Sequence, residues 1–460
     1  MKPLRLKQIL SVLNIPEQGM DCLISEVTND INKINHHTLV FYLNKIEEIN
    51  IELFQKLNHC YIITDQPKLT TSQLDQKYLI YVPNLQIAYQ KFIDFYRSMF
   101  KIPVVAITGT CGKTTTKEII TQVLSKKYQV VHTISNKNAL PYNHDYLMKI
   151  DDSTQYGVFE TAISYPGNLV EGCQYFKPTI GVITNIGIDH LNGCKTLDNY
   201  IRTKGEMLAG LNYQGVLIIN GDDLNIQKID FSPFKGKIIT FGIDKPADIN
   251  ASRIEYRDEG MAFTLSIKEK KYKTFVKGIG VHNVYNALAA IAVLTTLGQN
   301  IDEILNELKD IKHIKSHLEI HQGLNKSTII DDTWSSNPTS TEAALKVLKD
   351  IGKGKTKMVV FGKISYLGEQ ANYYYEEIAK MVVEHEVDFL FTTDSFSKLI
   401  GKKAIELGMS KYKVIHSKDE YELVSNLKSI LDKDSLVLFK ISMLDKSLTE
   451  TIKQLIINNE

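Results

Sequence analysis

The residues whose types and spacing carry the most chemistry are Gly109-Thr110-Cys111-Gly112-Lys113-Thr114-Thr115. An apolar run, Val104 to Thr108, precedes them and reads as a buried strand. Ile119, Ile120, Val123 and Leu124 follow at helical spacing, so one face of a helix is apolar and packs back on the sheet. Strand, glycine turn, Lys-Thr and helix form a phosphate-binding loop. Glycines let backbone N–H groups close on phosphate oxygens, and the helix N-terminus adds partial positive charge. There Lys113 reaches the terminal phosphates and the Thr114 hydroxyl sits on Mg²⁺. The competing reading is a strand–helix turn that binds nothing. The register of Lys-Thr after the strand favours a nucleoside triphosphate.

Other residues are less specific alone. Glu160 ends the apolar run 156–160, and in an open parallel sheet ligands gather at the carboxyl ends of strands, which places it to hold Mg²⁺. Asn283 and Asn286 stand three apart where a helical pattern begins, hence on one face, and an amide can pair with both donor and acceptor edges of adenine. His317, Glu319 and His321 alternate, so on a strand they would share a face. That face could hold a metal, although a polar outer strand face is the favoured reading. His190, in a loop, and Lys204, in a helical pattern, read by themselves as solvated residues.

The frame that must position these groups is large. At ~100–200 residues per domain, 460 residues make two to four domains. Hydrophobic content of 43% and charged content of 23% are those of an ordinary globular protein. A net charge of +1 gives no broad basic surface for nucleic acid. Five scattered cysteines without a C-x-x-C pair fit reduced thiols, not disulfides or a zinc site. The basic N-terminus has its apolar run broken by Gln8 and Ser11, which argues against a signal peptide, and no run approaches the ~20 apolar residues of a membrane span. A cytoplasmic protein is expected.

Three units follow. Residues 1–98 carry strand-like runs at 38–43, 60–64 and 78–82 and a helix over 84–99. Residues 99–312 hold the loop and include a small β-rich excursion over about 239–277. Residues 313–460 alternate strands (328–332, 358–362, 389–393, 413–416, 436–441) with helices, which means βαβ crossovers and a parallel sheet. The expected fold class is α/β in three domains: a central parallel-sheet ATPase domain of P-loop type, a C-terminal Rossmann-like domain and an N-terminal substrate domain.

The loop is shorter than the common G-x-x-x-x-G-K-[ST], with Gly109 only three residues before Gly112. It resembles the loop of the Mur ligase and folylpolyglutamate synthetase superfamily, ATP-dependent enzymes that join a carboxylate to an amine. Further segments extend the resemblance over nearly the whole chain, most strongly from Val104 to Ala290. They are Pro178-Thr-Ile-Gly-Val-Ile-Thr-Asn-Ile-Gly-Ile-Asp-His190, Arg202-Thr-Lys204-Gly-Glu-Met-Leu208, Gly215 to Asp223, Gly280-Val-His-Asn283-Val-Tyr-Asn286-Ala-Leu-Ala-Ala290 and Ile329-Ile-Asp-Asp332-Thr-Trp-Ser-Ser-Asn337-Pro. Together they look like a Mur ligase of MurF type.

The resemblance implies addition of D-alanyl-D-alanine to a UDP-N-acetylmuramoyl tripeptide, with ATP spent through an acyl phosphate, by a monomer whose first domain binds the UDP-sugar. It implies two Mg²⁺ ions held by Thr114, Glu160, His190 and a carbamylated Lys204, whose added CO₂ turns an ammonium into an anionic ligand. It implies that Lys113 and Asn136 meet the γ-phosphate, Asn283 and Asn286 the adenine, and Asp332 the ribose region as the third domain closes.

Four places depart from the family. Ile31 and Asn32 follow Asp30 where a Ser and an Arg are usual. Lys315-Ser-His317 replaces Pro-Gly-Arg. Phe361-Gly-Lys363-Ile-Ser-Tyr366-Leu-Gly-Glu369 replaces L-G-D-M-x-E-L-G-E, and Lys440-Ile-Ser442-Met443 replaces K-G-S-R. They leave open a paralogue ligating another acid and amine, with a folylpolyglutamate synthetase the weaker member of that group. They also leave open an ATP-binding partner protein without ligase activity, which the lost Arg favours and the complete metal set opposes.

Overall fold

Each of the three units builds its own parallel sheet. The computed structural model describes residues 1–16, 21–44, 49–66, 78–312 and 314–457. His313, at the expected start of the last unit, lies outside the described residues.

In the first unit the strands Glu26–Thr28, Thr38–Phe41, Tyr61–Thr64 and Leu79–Tyr81 pair in parallel in that order. The helix Leu85–Ser98 starts where the Asn84 side chain accepts from the Ile87 N–H, and it buries Phe92, Ile93 and Tyr96 with Phe41 and Ile63. Arg97, on its last turn, is buried. Its guanidinium donates to the carbonyls of Phe176, Phe100 and Ile102, so a charge that burial would penalise is spent tying this helix to the central unit.

The central sheet has nine strands, in the order 130–132, 156–160, 104–108, 180–183, 216–220, 237–242, 249–257, 260–267, 270–277. Val104–Thr108 is buried at all five residues because helices cover both faces, which is why it reads as a continuous apolar run without alternation. From it the chain builds outward first through 130–132 and 156–160, then on the other side from 180–183. The order in which strands are added therefore reverses between Thr108 and Ile183, the place where open α/β sheets bind ligands. The β-rich stretch is not a separate excursion. Ile249–Arg257 joins the parallel sheet, and Gly260–Ile267 and Lys270–Lys277 extend its edge antiparallel. The helix Val281–Thr296 is apolar nearly all round, and its residues from Ala287 to Leu294 are fully buried beside the helix Lys113–Leu124.

The third sheet runs 319–322, 328–332, 435–440, 356–361, 389–392, 414–416, parallel except for its first strand. That first strand begins only at Glu319. Ser316 and Leu318 take left-handed backbone (φ 59° and 53°), so the shared face expected for His317, Glu319 and His321 does not form. His317 instead packs on Trp334. Among the described residues no helix is long and apolar enough to cross a membrane.

Candidate functional site

Close approach dictates the glycines of the loop. A Cβ on Gly109 would stand 1.9 Å from Thr184 Oγ1, and one on Gly112 (φ +81°) would stand 2.2 Å from Asn286 Oδ1. Both neighbours come from segments singled out in the sequence, so loop, strand end 184–185 and helix start 283–286 are one packed unit. Asn185 holds the loop backbone: its carbonyl accepts from Thr110 N–H, its side chain accepts from Cys111 N–H (2.9 Å) and donates to Cys111 O (3.0 Å). No side chain caps the helix Lys113–Leu124, which leaves its first-turn N–H groups to solvent or an anion. Lys113 Nζ donates to Gly109 O (2.8 Å) and Thr110 O (3.0 Å), at the mouth of the loop.

Two ionisable groups lie behind the loop. Glu160 is 1% exposed, and burial pushes its carboxyl above the usual carboxylate range against the opposing pull of Lys117. Its Oε2 accepts from Asn138 Nδ2 (2.9 Å), while Oε1 accepts no hydrogen bond and has the Lys117 ammonium 3.7 Å away. A buried carboxylate oxygen without a donor suits a cation. Lys204 is also 1% exposed. Its Nζ reaches Thr108 Oγ1 (3.1 Å) and Gly109 O (3.0 Å), and burial, reinforced by Lys113, drives it well below the ordinary lysine range. Burial thus favours the neutral amine, the nucleophilic form of a lysine, over the ammonium.

His190 opens a short helix with left-handed backbone (φ 51°), and burial lowers its pKa. The third unit grips its loop at two points. On one side Ile188 N–H donates to Thr339 Oγ1 (2.9 Å), Asn337 Nδ2 donates to Asp189 (3.3 Å), and a Cβ on Gly187 would stand 1.9 Å from Thr339 Oγ1. On the other, the Tyr366 ring stacks on His190 (centroids 4.9 Å apart) and its carbonyl accepts from Asn192 N–H.

Between the units lies a cavity of about 550 Å³. Of the residues singled out in the sequence, Thr110 to Thr115, Asn136, His190, Asn283, Asn286 and Asp332 line it, whereas Glu160 and Lys204 sit beneath the loop. Asp332 is paired with the fully buried Lys440 (2.7 Å). Asn136 Nδ2 approaches Met443 Sδ (3.3 Å) across the cavity, and Asn283 spends its amide on Ile279 O (2.9 Å), so Asn286 is the amide nearer the loop.

Sequence reasoning gave no role to Asn185, Asn138 and Lys117, and met Lys440 only within the segment that stands in place of K-G-S-R. Asn138 stands two residues after Asn136 and Lys117 one turn after Lys113, the only signals that could have found them. The partial metal cluster of the third unit is Glu319, His321 and Asp331, not His317. Its carboxylates are already engaged: Glu319 accepts from Ser316 N–H, and Asp331 from Ser316 Oγ and from the amide and hydroxyl of Thr333. In the first unit Asp30 caps a 3₁₀ turn, Ile31 is buried among Val40, Phe54 and Ile62, and Lys33 pairs with Asp145 (2.7 Å).

Residues 107–294 match the Mur ligase middle domain, and residues 318–442 the glutamate ligase domain of Mur ligases. A UDP-N-acetylmuramoyl-tripeptide--D-alanyl-D-alanine ligase of Bacillus subtilis is 29% identical over 382 residues, 82% of this chain and 81% of that protein. The Escherichia coli protein of that description is 25% identical over 448 residues, 94% and 93% of the two chains. A crystal structure of MurF from Acinetobacter baumannii superposes with a TM-score of 0.84 at 22% identity over 98% of this chain and 99% of that one. The Thermotoga maritima MurF ligase in complex with ADP gives 0.78 at 21% identity, over 93% and 98%.

Proposed function

The chain belongs to the Mur ligase family, and from that premise we propose that it adds D-alanyl-D-alanine to UDP-N-acetylmuramoyl tripeptide at the expense of ATP, in peptidoglycan precursor synthesis in the cytoplasm. One observation carries the reading: the phosphate loop and His190 line a single cavity, with Glu160 and Lys204 buried beneath the loop, and residues of the third unit complete the lining.

The substrate carboxylate attacks the γ-phosphorus and ADP leaves. The amine then attacks the acyl carbon, loses a proton and expels phosphate. Lys113 and the helix N-terminus offset the charge that develops on the transferring phosphoryl group, with Asn136 at its side. Thr114, Glu160, His190 and Lys204 would hold Mg²⁺, two ions in this reading, which supply further charge neutralisation. The Glu160 oxygen without a donor fits such an ion. Burial favours the neutral amine of Lys204, the form that would add CO₂, and a carbamate there would be the anionic ligand that an ammonium could not be. Asn283 and Asn286 take the adenine, and Asp332, set by Lys440, meets the ribose region. Closure of residues 313–460 on 99–312 keeps water from the acyl phosphate, and residues 1–98 hold the UDP-sugar. Every group named comes from one chain, so a monomer suffices.

Purified protein with ATP, Mg²⁺ and UDP-N-acetylmuramoyl tripeptide should release phosphate only when D-alanyl-D-alanine is added, and the product mass should rise by the dipeptide. A second reading, a paralogue taking another acid and amine, draws on the buried Ile31 in place of a family serine. It predicts nucleotide binding without that turnover, and turnover with other pairs. A non-catalytic partner protein would turn over no pair.

A further inference from the structure

We propose that Lys117 is a positioning residue: from beneath the phosphate loop it fixes the segment 133–138, and with it Asn136, Asn138 and Glu160, at the γ-phosphate end of the site. The inference rests on the ATP reading above and adds to it a residue outside the loop.

Lys117 has no exposed surface. A lysine one turn into a helix ordinarily snorkels to water, and a buried ammonium is tolerated only when its donors are used. An ammonium has three, and here three acceptors lie close: Thr133 O (2.7 Å), Ser135 O (3.0 Å) and Glu118 Oε1 (2.6 Å). Glu160 Oε1, 3.7 Å away, adds an opposite charge.

The two carbonyls belong to the segment that leaves the strand Val130–His132 and turns at Ser135, whose backbone is left-handed (φ 52°). That turn carries Asn136 and Asn138 to the cavity. The connections then close on themselves. Thr133 Oγ1 accepts from Glu160 N–H (3.0 Å), and Asn138 Nδ2 donates to Glu160 Oε2 (2.9 Å). Lys117 thus bonds the segment and stands beside the carboxylate that the same segment holds. Mere filling of the core would need only a methionine there.

The test compares Lys117→Met with wild type in calorimetric binding of Mg·ADP and of the non-hydrolysable β,γ-imido analogue of ATP, alongside a thermal melt. The expected result is ADP affinity within about twofold of wild type and analogue affinity lower by about tenfold, since only the γ-phosphate end loses its support. Equal affinities for both ligands in variant and wild type, or an equal loss of both, would overturn the role. If Lys117→Met does not fold, Asn138→Ala probes the same network from its partly exposed end: selective loss of the analogue supports the proposal, and an unchanged ratio overturns it. Wild type that binds neither nucleotide would refute the ATP reading and this inference with it, whereas wild type that binds both isolates the claim about Lys117.

Discussion

The phosphate end of the cavity, its C-terminal flank and the first unit are held by different kinds of contact. At the phosphate end, glycine Cα atoms touch Thr184 and Asn286, backbone amides of the loop are taken by Asn185, and the charged groups behind it are fully buried. On the C-terminal flank a half-exposed tyrosine ring lies on a histidine, and hydrogen bonds run from loop to loop. In the first unit, Ile31, where the resemblance led us to expect a serine, lies in the core. Close backbone approach and buried charge tolerate few residue types. Ring stacking and loop contacts tolerate many, so this is where the chain departs from its family.

The largest effects belong to the phosphate end. Lys113→Ala and Lys204→Ala should each lower turnover by at least about a hundredfold, and acetate should partly restore Lys204→Ala; steady-state phosphate release retained in full by either variant would remove its assigned role. In the first unit, Ile31→Ser should cost about 2–3 kcal/mol of stability in urea unfolding and leave KM for the UDP-sugar unchanged. A KM that falls on introducing the hydroxyl would show that the position still faces substrate. On the C-terminal flank, Tyr366→Ala should slow kcat by about tenfold, the scale of one aromatic pair, with ADP affinity intact. Parallel loss of ADP binding would mean that this flank also shapes the nucleotide site.

The smallest effect concerns the junction of the first two units. His144 is buried, with Nδ1 on Tyr89 Oη and Nε2 on Val27 O (both 2.8 Å), and burial holds its pKa below the usual 6.5. The folded ring stays neutral where the unfolded one takes a proton, so stability falls as pH drops below 6.5 toward the folded pKa. Between pH 7 and 5.5 wild type should lose about 1 kcal/mol or less more than His144→Gln, measured by urea unfolding at both pH values.

The strand–loop–helix was legible because glycines demanded by close approach, an uninterrupted apolar strand and an amphipathic helix all leave marks in residue type. The third sheet was legible from its alternation of strands and helices. Glu160 was legible from its place at a strand end, whereas His190 and Lys204 drew attention only through the family resemblance: nothing in a sequence says that a helix lysine is buried. Lys117 was missed for that reason. The shared strand face read for His317, Glu319 and His321, favoured as a polar outer face over a metal site, does not form because two left-handed residues precede the strand, and no residue type there announces them. The edge strands 249–277 gave their β character away but not their partner, since sheet membership depends on contacts distant in the chain.

The most direct test of the central claim, that this site phosphorylates a carboxylate and hands the acyl group to an amine, is oxygen transfer. UDP-N-acetylmuramoyl tripeptide labelled with ¹⁸O in its reacting carboxylate is turned over with ATP, Mg²⁺ and D-alanyl-D-alanine, and the phosphate is weighed. The account predicts that each phosphate released carries one ¹⁸O and that amide product forms in equal amount. Unlabelled phosphate, the mark of water attacking ATP, would contradict it.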